Sequence, residues 1–135
     1  MFLTDNDYSS HQRINDLNVL TNGGNLSVRT FAEDASQEEM ASYLRIRYDV
    51  DNIFNTIGNE RNALIVMRLV DMAIYHMYAK IPQRQTPQDV TDRYLDAIKW
   101  LEGIAKGMYK TNLPLIVSTS ATAKFGGVKK LNQSW

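Results

Sequence analysis

Residues 61–80 read RNALIVMRLVDMAIYHMYAK, a run in which only six polar side chains interrupt apolar ones. At 100° per residue, Arg61 and Arg68 fall on one line of a helix, and Asp71 and His76 flank that line. The rest of the circumference is apolar, so other elements must cover most sides of such a helix. The run therefore predicts the central helix of a small all-α domain.

The totals exclude several classes of protein. The chain has 135 residues, and its 15 Lys and Arg balance its 15 Asp and Glu, so no global field would attract nucleic acid or an anionic surface. It has no cysteine, which excludes disulfides, thiolate catalysis and cysteine zinc sites. The N-terminus lacks the pattern of a signal peptide, and Arg68 and Asp71 would be costly inside a lipid bilayer. We expect a soluble intracellular protein without membrane contact.

Further helices are predicted on the N-terminal side of the central one. Thr4 with Asp7 is close to a capping box and predicts a short helix after Thr4. Apolar periodicity predicts one helix over 12–21 and a single longer one over 27–47. Residues 49–55 are expected to form a loop with two apolar anchors.

The last long helix has the clearest signals. Thr86 is placed to cap it, and Pro87 stands at the first helical position, where a missing N–H does no harm. Its apolar face is expected to extend to Met108, and Gly107 supplies the C-terminal stop. The fold class predicted is all-α, a small bundle of about four to five helices with an extended C-terminal arm.

The neutral total hides an asymmetry along the chain. All 15 acids lie in residues 1–102, whereas residues 103–135 contain five lysines and no acid. One interpretation is a solvated tail; the other is an arm that docks on a negative surface, such as the acidic body of another copy. We predict a helical domain at 1–108 and an arm at 109–135.

The arm is composed like a segment that becomes ordered against a partner. It contains a β-branched apolar stretch and the aromatic residues Phe125 and Trp135, which suit strand addition or insertion into a pocket. A tryptophan at the flank of the last helix could anchor an interface or complete the edge of the core. The interface candidates are Trp100, Leu115, Ile116, Val117, Lys124, Phe125, Lys129, Lys130 and Trp135.

Catalytic chemistry has little to build on. His11 and His76 are the only imidazoles, and Asp71 lies five residues from His76, a poor spacing for a metal pair or a base with its orienting acid. Asp49 and Asp51 lack the glycine and distal glutamate of a calcium loop. We predict no enzyme activity, no cofactor and no metal.

Arginine and tyrosine cluster near the end of the 27–47 helix. Arg45, Arg47, Tyr43 and Tyr48 could contact nucleic acid, or they could pack against neighbouring helices with their stems on apolar surface. No basic recognition helix is present, so sequence-specific binding is not expected. Non-specific contact through the lysine tail remains an alternative.

Three segments together are similar to a known family: MFLTDNDY at 1–8, Y-L-x-x-R-Y-D-V at 43–50, and D-R-Y-x-x-A-x-x-W-L-x-x-I-A-x-G at 92–107. They resemble small Mu-like phage and prophage proteins, long described as a domain of unknown function, over roughly residues 1–110.

The resemblance implies a structural virion protein that acts as a head–tail connector or head-completion adaptor. The family role is a ring, dodecameric by expectation, beneath the portal of a tailed phage, with DNA passing through the channel without sequence recognition. Implied partners are other copies, the portal protein and tail or neck proteins. The protein would be made in the host cytoplasm and reside in the virion neck. The alternative is a small helical binding or regulatory protein, with or without non-specific nucleic-acid contact.

Overall fold

The computed structural model describes residues 2–9, 26–80 and 85–116. These residues form an all-α bundle, as predicted. A 3₁₀ turn at Gly58–Glu60 precedes the central helix. The helices are α1 (Asp5–Tyr8), α2 (Leu26–Leu44), α3 (Val50–Asn55), α4 (Ala63–Ala79) and α5 (Gln88–Ala105).

Helix α4 is the centre of the bundle, and it packs against α2 and α5 and contacts α1. The Asn62 side chain caps it by accepting hydrogen bonds from the N–H groups of Leu64 and Ile65. Each fully buried Leu, Ile or Met contributes about 1.5–3 kcal/mol of hydrophobic stabilisation. The buried residues of α4 are Ile65, Leu69, Val70, Asp71, Met72, Ala73, Ile74, Met77 and Tyr78.

Arg61 ties the N-terminus to the start of α4. Its guanidinium donates to the Phe2 carbonyl at 2.8 Å and to the Asp7 carboxylate at 2.6 Å. The Thr4 N–H also donates to Asp7, at 2.7 Å, so the capping signal at the start of α1 is confirmed. The Arg61 hydrogen bond holds the pKa of Asp7 below its usual range, although burial opposes this.

The prediction of one continuous helix after residue 26 is confirmed by α2. Ser36, which lies between its two apolar stripes, is buried and donates to the Ala32 carbonyl at 2.7 Å. The helix ends at Leu44, earlier than expected, because residues 45–47 form a turn in which the Arg47 N–H bonds to the Leu44 carbonyl three residues back, at 3.1 Å.

The expected loop over 49–55 is wrong, because this stretch contains α3. The Asp49 side chain accepts a hydrogen bond from the Asn52 N–H at 3.2 Å and caps the helix. Ile53 is buried against the core, and Phe54 is half-buried. Such a short helix shows no full period of apolar residues, so only its cap could have marked it.

Helix α5 departs from its prediction at both ends. Pro87, not Thr86, occupies the N-cap position, and α5 begins one residue later. At its other end Gly107 has φ +76°, and the N–H groups of Gly107 and Met108 bond back to Ile104 and Gly103, the pattern of a Schellman stop. Met108 is therefore past the helix and 67% exposed, so the apolar face does not include it.

The helix predicted over 12–21 and His11 lie outside the described residues. In the described part of the chain, no helix is both long and apolar enough to cross a membrane.

Candidate interaction surface

Residues 106–116 fold back on the segment between α2 and α3 and bond to it through the backbone. The Asp49 N–H donates to the Pro114 carbonyl at 2.9 Å, and the Ile116 N–H donates to the Arg47 carbonyl at 3.0 Å. Between these bonds, Tyr48 and Leu115 form one antiparallel bridge. We call the surface formed by residues 45–48 and 106–116 the arm-root surface, because residues 117–135 continue from it.

Side-chain contacts fix this segment on the helical body. Leu113 is buried, and the Thr111 hydroxyl donates to the Tyr48 hydroxyl at 3.0 Å. The Tyr109 ring lies so close to Gly103 that any Cβ at that position would clash with it. The Arg47 guanidinium covers Gly107 in the same way. Residues 109–116 are therefore part of the packed body.

The arm-root surface exposes large apolar side chains. Its two segments lie side by side, since Ile116 bonds to Arg47 through the backbone and the Arg47 guanidinium covers Gly107. Exposed apolar side chains grouped on neighbouring segments are typical of interaction sites. The exposed residues are Ile46 (64%), Met108 (67%), Tyr109 (44%), Leu115 (64%) and Ile116 (49%).

Cationic side chains surround these apolar residues. Arg47, Lys106 and Lys110 are exposed within the two segments. Arg45, also exposed, pairs with Glu38 of α2 at 2.7 Å. The arm-root surface is therefore apolar with a basic rim, a composition that suits an acidic protein surface or a phosphate backbone.

His76 is part of a half-buried joint between three helices. Its Nε2 lies 3.0 Å from Glu39 Oε1, and the Tyr94 hydroxyl donates to Glu39 Oε2 at 2.7 Å. Tyr75 stacks on Tyr94 with ring centroids 4.0 Å apart. Burial, reinforced by the Glu39 carboxylate, raises the pKa of Tyr94. We call His76, Glu39, Tyr75 and Tyr94 the His76 joint; these residues connect α2, α4 and α5.

Asp71 is the carboxylate of α4, and its pKa departs strongly from the usual value. Burial raises its pKa to about 6, although Arg93 Nη1 lies 3.7 Å away and Arg68 is also near. The Arg68 guanidinium stands over the Trp100 ring, 5.9 Å from its centroid. The sequence placed Asp71 and Arg68 on a polar strip, whereas the structure places Asp71 inside, 5% exposed.

The predicted interface residues have different positions. Leu115 and Ile116 are exposed on the arm-root surface, whereas Trp100 completes the core with 9% of its surface exposed. Their roles as interface residues remain predictions. The exposed Ile46 and Tyr109 were not among the candidates, because only the fold-back of 106–116 brings the segments that contain them together. Outside the described residues lie Val117, Lys124, Phe125, Lys129, Lys130 and Trp135.

Metal-ligating groups are not gathered in residues 2–9, 26–80 or 85–116: no three His, Asp or Glu side chains there could hold one ion. The prediction that the protein is not an enzyme remains a prediction.

The fold and its exposed surface describe a small all-α protein suited to contacts with other macromolecules. The family model described as Bacteriophage Mu, Gp36 matches residues 3–128, and the chain belongs to this family of phage proteins. The match extends past residue 110, where the resemblance seen in the sequence ended, and includes most of the arm. Neither the curated proteins nor the solved structures compared with the chain gave a significant match.

Proposed function

We propose that this phage protein is a structural component of the virion, a head–tail connector that forms a ring beneath the portal and joins head to tail. The observation that carries the proposal is the arm-root surface, where exposed apolar side chains lie at the base of an acid-free arm. Membership of the Mu Gp36 family supports a role in a phage particle.

A ring is expected because the arm of one copy and the body of the next copy, which would form the contact, differ in charge. The arm-root surface and arm are basic, whereas all acids lie in residues 1–102, so one copy's arm and another copy's body are complementary. A contact between two different surfaces of identical subunits closes into a ring when the rotation permits. The partners are then other copies in a dodecameric ring, the portal protein, and tail or neck proteins. DNA passes through the centre without sequence recognition.

The arm is needed because the arm-root surface is small. A stable protein interface buries about 1,200–2,000 Å² in total. Five exposed apolar side chains supply only part of such an area. Residues 117–135 would add to it by becoming ordered on the neighbour or on the portal. The ring is therefore expected to form on the portal more readily than in free solution.

Deletion of the arm tests this role. The deletion variant lacks residues 117–135 and keeps 109–116 of the predicted arm. Residues 109–116 are kept because Leu113 is buried and Thr111 bonds to Tyr48. The truncated protein is expected to keep its helical circular dichroism but to form no collar on the portal in electron micrographs. Collars that persist without the arm would show that it is not needed for assembly.

The basic rim favours a second candidate function. Arg47, Lys106 and Lys110 are exposed on one surface and could contact phosphates without reading sequence. A helical binding or regulatory protein of that kind would stay monomeric, shift duplex DNA, and lose binding steeply as salt rises. Collars on the portal, with no DNA shift at physiological salt, would favour the connector.

A further inference from the structure

A groove of about 260 Å³ lies between α2 and α3. Val50 and Phe54 line it with half-buried apolar surface, and the far edge of the Phe54 ring is held against Phe2, with centroids 5.1 Å apart. The volume is below the roughly 300–1,000 Å³ of most small-molecule pockets. A groove of this size suits a few side chains of a peptide segment. We call it the α2–α3 groove.

Carboxylates dominate the rim of the α2–α3 groove. Asp34 and Glu38 stand one turn apart on α2, and Asp51 faces them from the first turn of α3. Among the residues that the structure describes, Arg45 is the one cation lining the groove, and its guanidinium is already engaged by both oxygens of Glu38, at 2.7 and 2.9 Å. Negative charge therefore predominates around an apolar floor.

The arm contains a segment with the complementary chemistry. Residues 124–130, KFGGVKK, place Phe125 among three lysines and contain no acid. One aromatic side chain can cover the Val50 and Phe54 surface while the lysines meet the carboxylates on either side. The two glycines between them allow the backbone to lie close to the groove.

The position of the arm root favours the groove of a neighbouring copy. A copy's own arm leaves Ile116 beside Arg47, and Arg45 lines the groove, so its lysines would start next to one guanidinium group and meet another at the groove. From residue 116 to residue 124 an extended chain spans about 28 Å, enough to cross an interface.

We infer that the α2–α3 groove of one copy binds residues 124–130 of the next copy in the ring. The inference rests on the proposed connector function, since it names the contact between successive subunits. It also assigns a role to Asp34, Asp51 and Phe54, which the arm-root surface does not include.

Disulfide trapping tests the contact in the full-length protein, which has no native cysteine. The double variant Asn55→Cys with Val128→Cys places one thiol at the exposed edge of the groove and one in the docking segment. After mild oxidation, alone and on the portal, a non-reducing gel is expected to show a ladder of covalent multimers. The matched control, Asn59→Cys with Val128→Cys, carries its first thiol on an exposed loop outside the groove and is expected to give no ladder.

Charge reversal gives the second readout. Asp34→Lys with Asp51→Lys in the trapping variant is expected to reduce the ladder to the control level, and adding Lys129→Glu with Lys130→Glu is expected to restore it. A cross-link closed within one chain, seen as a faster monomer band, would overturn the inference. An absent ladder, or one equal to the control, would do the same.

Electron microscopy of the same samples distinguishes failure of the groove contact from failure of the connector function. Collars on the portal without a ladder would leave the connector function intact and refute the groove contact. A ladder without collars would support the groove contact and refute the connector function.

Discussion

The interior around α4 and the arm-root surface use the same residue types in opposite ways. Met72 is fully buried and Tyr78 is 2% exposed, whereas Met108 is 67% and Tyr109 44% exposed. The buried side chains stabilise the single copy. The exposed ones add less to its stability, although the Tyr109 ring also contacts Gly103, and their remaining surface is accessible to another molecule. The comparison shows that residue type does not decide which side chains of this chain are buried; position in the tertiary structure does.

Polar side chains also differ between the helical body, where they have partners, and the arm-root surface, where they face solvent. Between the helices, the half-buried His76 joint gives both Glu39 oxygens partners from other helices. On the arm-root surface, Lys106 and Lys110 face solvent. Polar groups that lose water on folding need hydrogen-bond partners within the protein. Exposed charged groups stay hydrated and need no such partner.

The sharpest test of this division compares two methionines. Met72→Ala is expected to destabilise the protein by about 2–5 kcal/mol, because it opens a cavity beside α2 and α5. Met108→Ala is expected to change the free energy of unfolding by no more than about 0.5 kcal/mol. Urea denaturation measures both. Comparable losses would mean that Met108 belongs to the folded core.

A second prediction concerns the charge inside α4. Because burial raises the pKa of Asp71 from 3.8 to about 6, the folded state binds this proton more tightly than the unfolded state. Stability should therefore rise as the pH falls from about 6 to about 4, by up to about 3 kcal/mol. Asp71→Asn should remove this gain.

Denaturation at pH 7 and pH 4.5 measures the effect of Asp71. The lower limit avoids the opposite contribution of Asp7, whose lowered pKa means that its stabilising pair with Arg61 is lost only as the pH falls further. If the free energy of unfolding of wild type and of Asp71→Asn changed equally with pH, the buried Asp71 carboxylate would not destabilise the folded protein.

Two glycines test how firmly the arm root is fixed. Gly107→Ala is expected to cost about 1–2 kcal/mol, because φ is positive there. Its new Cβ would also approach the Arg47 guanidinium to 2.7 Å. Gly58→Ala is the control, with φ +60° and no atom near its added Cβ. Gly107→Ala should also speed hydrogen exchange at the Ile116 amide; equal losses and unchanged exchange would mean that Arg47 does not hold the segment.

The smallest effect on stability is expected at the exposed apolar residues. Leu115→Gln should change the free energy of unfolding by no more than about 0.5 kcal/mol, yet weaken collar formation on the portal. Leu95→Gln is the control, since Leu95 is 55% exposed on α5 and lies outside the arm-root surface. If the two variants assemble equally well, the arm-root surface is not the contact.

Much of the helical architecture was predictable because its signals are local. Apolar periodicity located α2, α4 and α5, the Thr4 cap located α1, and Gly107 marked the end of α5. The short α3 was missed because its six residues are too few to show a period. Of the arm-root surface, only Leu115 and Ile116 were anticipated, since Ile46 joins this surface through a segment far away in the chain.

By itself the sequence determined the all-α class, the central place of α4, and the charge difference between the body and residues 103–135. These follow from periodicity and composition, which act over a few residues or over the whole chain. Only the tertiary structure decided that His76 meets Glu39, that Asp71 is buried, and that Met108 is exposed. Those outcomes depend on which helices pack together, and contacts between residues distant in the chain leave no local pattern.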